Sequence, residues 1–159
     1  GIILALIATA TAYCLPFLKL PHKIDPSARL NGWKELGSEV SSISDELSKT
    51  GTFFIFSDRY QVSSELAFYV KGHPVTYCVN FGRRMNQYDL WSGIDNLVNF
   101  NAVFVTIGDA GIPEELESGF DQCDKKLFSA DRDGRKLRDY TIFTCYGFKG
   151  MKQRGIESY

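Results

Sequence analysis

FFIFSDRYQVSSELAFYV (residues 53–70) begins with four consecutive apolar residues and continues as an amphipathic segment. An unbroken apolar run is typical of a strand buried on both faces of a sheet, because a half-exposed strand alternates apolar and polar residues. Val62 and Leu66 lie four residues apart, on one face of a predicted helix. Asp58 is the predicted N-cap of that helix, with Gln61 as its capping-box partner. A buried strand followed by a helix is the repeating unit of a parallel α/β fold.

Further strands and helices follow along the chain. VTYCV (residues 75–79) and AVFVTI (residues 102–107) are predicted strands, and a short helix is predicted between them around residues 94–98. Glycine and proline in GDAGIP (residues 108–113) then open a predicted helix that runs through Leu116.

A helix is also predicted before the first strand. Apolar residues recur at steps of three and four between Trp33 and Leu47, Asn31 is the expected N-cap, and Gly51 is expected to end the helix. Alternating helices and strands of this kind predict an α/β fold. We expect a three-layer sandwich with a mainly parallel sheet and helices on both faces.

The C-terminal part predicts a different kind of pairing. KKLFSA (residues 125–130) and KLRDYTIFTCYGF (residues 136–148) flank DRDG, and Asp-Gly favours a tight hairpin turn. We therefore expect an antiparallel hairpin in which Cys123 falls opposite Thr144 or Cys145. A disulfide between Cys123 and Cys145 and two reduced core thiols are both compatible with this arrangement.

Length and composition limit the class of protein. A chain of 159 residues suffices for one domain with a hydrophobic core, but not for two of ordinary size. The net charge of −1 gives no basic surface for nucleic acid, so we expect no nucleic-acid partner. The cysteines form no CxxC pair, and His22 and His73 are the only histidines. We therefore predict neither a metal site nor a cofactor.

The segment IILALIATATAYCLPFL (residues 2–18) carries no charged residue. It is slightly shorter than the roughly 20 residues that cross a bilayer. It fits the end of a transmembrane helix, a buried helix of the domain or a trimmed signal sequence, although no basic region precedes it. We expect residues 1–20 to end a transmembrane helix, residues 21–32 to form a linker and residues 33–159 to form a soluble α/β domain.

RRMNQYDLW (residues 83–91) follows the second predicted strand, at the carboxyl edge of the sheet. Ligands of open α/β sheets bind outside the carboxyl ends of the strands. The guanidinium group of arginine donates two parallel hydrogen bonds to phosphate or carboxylate groups, and aromatic rings with polar neighbours suit sugars. We therefore predict a ligand site at this edge. Its candidate residues are Asp58, Tyr60, Arg83, Arg84, Asn86, Gln87, Tyr88 and Asp89.

The same segment also fits a purely structural explanation. Arg83 and Arg84 would pair with Asp89 and Asp58 to hold the loops together, and Trp91 would anchor the core. The sequence leaves both explanations open. It contains no GxSxG, HExxH or phosphate-binding P-loop motif, and we assign no catalytic residue.

Four segments carry a resemblance to a known family. NGWKEL (residues 31–36), FFIFSDRYQVSSELAFYV, RRMNQYDLW and YTIFTCYGFKG (residues 140–150) follow an apolar helix and a linker. This succession resembles the carboxyl-terminal extracytoplasmic domain of prokaryotic dolichyl-phosphate-mannose protein mannosyltransferase-like proteins, which are membrane glycosyltransferases of family 39. The resemblance extends from about Leu18 to the end and is most specific between Tyr60 and Trp91.

The resemblance implies an accessory domain of an enzyme that transfers a sugar from a polyprenyl-phosphate carrier to an acceptor. In that family the catalytic residues belong to the membrane-embedded part, whose motifs have no match here. The implied partners are the remainder of the polytopic enzyme, the membrane surface, and a lipid-linked sugar or acceptor. The implied location is membrane-anchored, on the extracytoplasmic face. The alternative is a membrane-tethered module without catalytic activity that binds a small anionic or glycosyl ligand.

Overall fold

The computed structural model of the protein describes residues 1–14, 31–132 and 134–151. The predicted linker therefore lies outside the described residues except for Asn31 and Gly32, and so does Asp133 of the predicted hairpin turn. The chain divides into two units, residues 1–31 and residues 32–159.

The described part of the first unit is helix α1 (Ile2–Cys14), whose 13 residues include no charged side chain. Among the residues that the structure describes, no helix is both long enough and apolar enough to cross a membrane. The expectation that residues 1–20 end a transmembrane helix stays a prediction.

The second unit is built on a mixed sheet of five strands. They are β1 (Phe53–Ser57), β2 (Thr76–Cys78), β3 (Asn101–Ile107), β4 (Gln122–Arg132) and β5 (Arg135–Tyr146), and they lie in the order β2-β1-β3-β5-β4. β1 pairs in parallel with β2 and with β3, whereas β5 pairs antiparallel with β3 and with β4. The predicted α/β fold and its C-terminal antiparallel hairpin are thus confirmed. The helices of this unit are α2 (Trp33–Leu47) before β1, α3 (Tyr60–Tyr69) between β1 and β2, a 3₁₀ helix (Gln87–Leu90) between β2 and β3, and α4 (Glu114–Gly119) between β3 and β4.

Helices α2 and α3 cover one face of the sheet. Val40 of α2 and Leu66 of α3 are buried in one apolar cluster with Ile55 of β1. The two helices approach each other at Gly37, where an added Cβ atom would lie 2.4 Å from the Cβ atom of Tyr69. Only glycine permits this approach, because real Cβ atoms do not come so close to other atoms.

Aromatic side chains form the core on the opposite face, under α4 and the connection from β2 to β3. The ring centroids of Phe56 and Phe104 are 5.0 Å apart, and those of Phe120 and Phe148 are also 5.0 Å apart. Ile94, from the connection, is buried in the same cluster. The layers on both faces of the sheet are therefore present, as predicted.

Two predicted helix caps are wrong. The N-cap of α2 is Gly32, whose φ of 91° is a left-handed conformation that suits glycine, rather than Asn31. The N-cap of α3 is Arg59, without a side-chain capping bond, rather than Asp58. The reason is local: the Ser57 hydroxyl oxygen accepts the Arg59 N–H at 3.1 Å and shapes the turn that leaves β1.

The short helix expected around residues 94–98 is also absent from the structure, where this segment forms turns. Leu97 N–H donates to the Ile94 carbonyl and Phe100 N–H donates to the Leu97 carbonyl, both three-residue steps. Asn99 has a φ of 69°, which ends any helical run. Within these turns Ile94 is buried, Leu97 is partly buried and Val98 is exposed.

Candidate functional site

Arg83 holds together the loop that follows β2. Its Nη1 donates to Asp89 Oδ2 at 2.8 Å and its Nη2 donates to Asp89 Oδ1 at 3.0 Å, so the ion pair is bidentate. Nε donates to the Asp58 carbonyl oxygen at 3.2 Å, and Nη1 also donates to the Arg84 carbonyl oxygen at 3.0 Å. One guanidinium therefore ties the loop after β1 to the loop after β2.

Asn86 and Asp89 begin the 3₁₀ helix through a capping box. The Asn86 side-chain oxygen accepts the Tyr88 N–H at 2.8 Å, and Asp89 Oδ2 accepts the Asn86 N–H at 2.7 Å. Burial alone would raise the pKa of Asp89, but the hydrogen bonds and charge of Arg83 and the Asn86 N–H hold that pKa below its ordinary value. The carboxylate therefore stays ionised and the helix start stays fixed.

A cleft of about 540 Å³ lies against β2, within the size range of small-molecule sites. Its walls are the edge strand and the segment that follows the 3₁₀ helix. Among these described lining residues there is no carboxylate, lysine, arginine or histidine, so the surface is apolar with backbone, hydroxyl and thiol polar groups. The lining residues are Val75, Thr76, Tyr77, Cys78, Val79, Tyr88, Leu90, Trp91, Ser92, Gly93 and Ile94.

An aromatic pair lies beside this cleft. The ring centroids of Tyr88 and Trp91 are 5.0 Å apart, with 61° between the ring planes. The Tyr88 hydroxyl shares a hydrogen bond of 3.2 Å with the Ser64 hydroxyl of α3, which fixes its ring. Trp91 is 58% exposed and Leu90 is 69% exposed, although both side chains are large and apolar. Exposed apolar side chains gathered at a cleft are typical of a binding surface.

Cys78 lines the cleft with a thiol whose burial favours the protonated form. The thiol is buried, and its sulfur accepts a hydrogen bond from Arg83 Nη2 at 3.2 Å. Burial raises the pKa of the Cys78 thiol, and the opposing charge of Arg83 does not reverse that direction. The thiol is protonated at neutral pH and contributes a polarisable wall rather than chemistry.

The structure divides the predicted site residues among three surroundings. Of these residues, Tyr88 lines the cleft. Others are engaged in holding the loop, and the rest are exposed outside the cleft lining. The loop residues are Arg83, Asn86, Asp89 and, through its carbonyl oxygen, Asp58, while the exposed residues are Tyr60, Arg84 and Gln87.

The structural explanation is thus correct for one arginine and wrong for the other. Arg83 pairs with Asp89 as that explanation expects. The carboxylate of Asp58 lies 3.9 Å from Arg59 instead of pairing with Arg84. Trp91 does not anchor the core, because more than half of its surface is exposed.

The prediction missed most of the cleft. Val75, Leu90 and Ile94 line it, whereas Tyr88 is the lining residue that the predicted site includes. The available signal was Leu90-Trp91, two large apolar residues directly after a polar run and just before Gly93. Such a pair fits an exposed anchor as well as a buried one, and only the fold distinguishes the two.

A disulfide joins β4 to β5, near the edge of the sheet opposite the β2 edge that lines this cleft. Cys123 and Cys145 lie directly opposite each other and are bonded. Disulfides persist in oxidising compartments, so the bond is typical of an extracytoplasmic protein.

Comparisons of the chain with protein families, with curated proteins and with solved structures found no match.

Proposed function

We propose that residues 32–159 are the accessory extracytoplasmic domain of a membrane glycosyltransferase that uses a polyprenyl-phosphate sugar. In this proposal the cleft beside β2 receives a glycosyl group of the donor or of the acceptor. The domain contributes recognition, and the membrane-embedded remainder of the enzyme contributes the catalytic residues.

The observation that carries the proposal is the Tyr88–Trp91 pair, with Trp91 exposed, at a cleft without charged lining. A sugar ring has apolar faces that pack on aromatic rings, while its hydroxyls need hydrogen-bond partners. The cleft supplies both, because Ser92 and the edge strand β2 also line it and Tyr88 itself carries a hydroxyl. An uncharged lining suits a neutral glycosyl group better than a free anion.

Two further observations support the proposal. The sequence resembles the extracytoplasmic domain of family 39 glycosyltransferases, most specifically in the segment that contains this loop. The Cys123–Cys145 disulfide suits the compartment in which those domains lie.

A second function is favoured by the same lining. A cleft without carboxylate, histidine or lysine among its described residues is equipped to bind but not to transfer protons or groups. A membrane-tethered module that binds a glycosyl ligand without any transferase would have such a site. The gene separates the two functions: many hydrophobic spans upstream of Gly1 support the transferase, and a single anchor supports the module.

Calorimetric titration of the chain tests the binding step. We expect short-chain polyprenyl-phosphate mannose to bind, and Trp91→Ala to weaken binding by about tenfold or more, as for other aromatic anchors. Phe68→Ala is the matched control, because Phe68 is an aromatic residue of α3 with 66% exposure that does not line the cleft. Equal binding by the wild type and the Trp91→Ala variant would contradict the proposal.

The intact membrane protein tests the link to transfer. If the domain assists the transferase, Trp91→Ala lowers sugar transfer while the level of the protein is unchanged, and Phe68→Ala has no effect. Normal transfer by the Trp91→Ala protein would exclude the accessory role, even if the isolated cleft binds sugar.

A further inference from the structure

The outer edge of β4 is open to another strand. β4 is the last strand on its side of the sheet, and within the described chain only β5 pairs with it. The Cα atoms of Cys123 and Cys145 are 4.1 Å apart, the spacing of a directly opposed antiparallel pair without mutual backbone hydrogen bonds. By alternation, residues 125, 127 and 129 also direct their N–H and C=O groups away from β5, toward the open edge.

The charges of β4 are arranged symmetrically about Phe128. Asp124 and Lys125 precede it by four and three residues, and Asp131 and Arg132 follow it by three and four. In a two-fold antiparallel pairing centred on Phe128, Lys125 faces Asp131 of the partner subunit. Asp124 likewise faces Arg132 of the partner subunit. Each contact occurs twice, and no like charges face each other.

Other registers do not have this property. The N–H and C=O groups that point to the open edge belong to odd-numbered residues of β4. Two β4 strands can therefore form hydrogen bonds only when odd-numbered residues face odd-numbered residues. This requires a two-fold axis that passes through a residue rather than between two residues. An axis at residue 126 makes Lys126 face its own copy, and an axis at residue 129 makes Lys126 face Arg132 of the partner subunit. An axis at residue 127 pairs no charges.

The middle of the strand is apolar, as the centre of an interface usually is. Leu127 is 52% exposed on one face of the sheet, and the partly buried Phe128 lies on the other. An axis at Phe128 would place the two Phe128 side chains opposite each other. The two Leu127 side chains would lie opposite Ser129 of the other copy.

The present ion pairs of β4 do not oppose this pairing. Lys125 lies 2.7 Å from Asp109 and Arg132 lies 2.8 Å from Glu35, with 42% and 48% of the two cationic side chains exposed. The Lys125–Asp109 pair joins exposed groups and contributes little to stability, so Lys125 is able to exchange partners. The Glu35 side chain is only 20% exposed, so Arg132 would keep its bond to Glu35 and share its guanidinium with Asp124 of the partner subunit.

We propose that two copies of this chain pair antiparallel along β4, with the two-fold axis at Phe128, to form one continuous ten-stranded sheet. The partner is a second copy because the charge order of β4 is complementary to itself. This inference does not depend on the proposed glycosyl-binding function, since the cleft lies at the opposite edge of the sheet.

Disulfide crosslinking of the full chain tests the register. In a Cys14→Ser background, which removes the exposed free thiol of α1, Phe128→Cys should give a covalent dimer on mild oxidation. Residues at the axis of a non-hydrogen-bonded pair are about 4.5 Å apart at Cα, within disulfide reach. Ser129→Cys is the control, since its two copies would be separated by more than about 7 Å, beyond that reach. Equal crosslinking at both positions, or none at either, overturns the proposal.

A charge exchange tests the same contact without cysteine. By sedimentation of the full chain, Asp131→Lys should raise the dimer dissociation constant by about tenfold or more, because it places lysines opposite each other. Adding Lys125→Asp should restore the constant to within about threefold of the wild type. α1 is present in all three chains, so association driven by α1 would be insensitive to both changes. That insensitivity, or a wild-type chain that remains monomeric at about 100 μM, contradicts pairing along β4.

Discussion

Arg83 and Arg84 are adjacent in the sequence, but their side chains have different surroundings. Arg83 donates to Asp89, to two backbone carbonyls and to the Cys78 sulfur, whereas Arg84 is exposed. The sequence predicts that this loop is rich in hydrogen bonds. It does not predict which arginine turns inward, because that choice depends on where the loop after β1 places the Asp58 carbonyl. The two residues therefore provide matched variants.

Replacing Arg83 by alanine should destabilise the domain, and replacing Arg84 should not. Arg83→Ala leaves the mostly buried Asp89 carboxylate without its bidentate partner, which we expect to lower the free energy of unfolding by roughly 2–4 kcal/mol. Arg84→Ala should change it by less than about 0.5 kcal/mol, as exposed substitutions usually do. Urea unfolding measures both. Equal losses for the two variants would show that Arg83 does not hold the loop.

The lowered pKa of Asp89 predicts a loss of stability in acid. A carboxyl group whose pKa is lower in the folded state stabilises that state above its unfolded pKa, and the contribution disappears as pH falls through the folded pKa. Asp89→Asn should thus be less stable than wild type at pH 7, and the difference should shrink below about pH 4. Because Glu35 and Asp139 have lowered pKa values as well, the informative quantity is this difference across pH. A difference that is constant from pH 7 to pH 2 would show that the ionised Asp89 carboxylate does not stabilise the fold.

At the scale of elements, the sequence predicts most of what periodicity determines. The apolar run at β1 and the spacing of apolar residues in α2 predict that these residues are buried, and Asp133-Gly134 predicts the hairpin. The caps and the turns at residues 94–98 depend on single hydrogen bonds and on φ values that a pattern does not contain. The close approach of α2 and α3 at Gly37 is likewise not predictable, because a glycine within a helical pattern does not indicate which residue packs against it.

Gly37→Ala should destabilise the domain although alanine favours helix by about 1 kcal/mol. The new Cβ atom would overlap Tyr69, and separating the two helices should cost about 1–3 kcal/mol or more. Ser38→Ala, at the exposed neighbouring position, is the control and should be neutral or slightly stabilising. Thermal unfolding compares the two variants. A Gly37→Ala chain more stable than wild type would mean that the helices do not pack as described.

Removing the disulfide should weaken the hairpin. Cys123 and Cys145 are separated by 22 residues, and closing a loop of that size stabilises a fold by about 3 kcal/mol in the chain-entropy description. We expect the double variant Cys123→Ser/Cys145→Ser to unfold at correspondingly lower urea concentration. Wild-type protein treated with a reductant should behave in the same way, and an unchanged midpoint in both experiments would contradict a stabilising bond.

At the scale of the whole molecule, the sheet has two open edges with different properties. The β2 edge is short and faces an uncharged aromatic cleft, while the β4 edge is long and carries self-complementary charges. β1 lies between β2 and β3, and the hairpin places β4 beside β5. The cleft arises only after the connection from β2 to β3 has folded back along β2, so no local pattern predicted it.

Because the two edges lie at opposite ends of the sheet, the two proposed interactions should be independent. Asp131→Lys should weaken self-association without changing the affinity for polyprenyl-phosphate mannose. Trp91→Ala should weaken sugar binding and leave self-association unchanged. Sedimentation and calorimetry on the same preparations test this, and a variant that impairs both interactions would show that the edges are coupled.

The most direct test of glycosyl recognition is a backbone NMR titration of the chain with short-chain polyprenyl-phosphate mannose, with the sugar-free polyprenyl phosphate as control. We expect saturable shifts at residues 75–79 and 88–94 that require the sugar, and small shifts at the hydrogen-bonded loop around Arg83. Absence of shifts at millimolar ligand would contradict glycosyl recognition by this cleft. Equal shifts with the sugar-free lipid would contradict it as well.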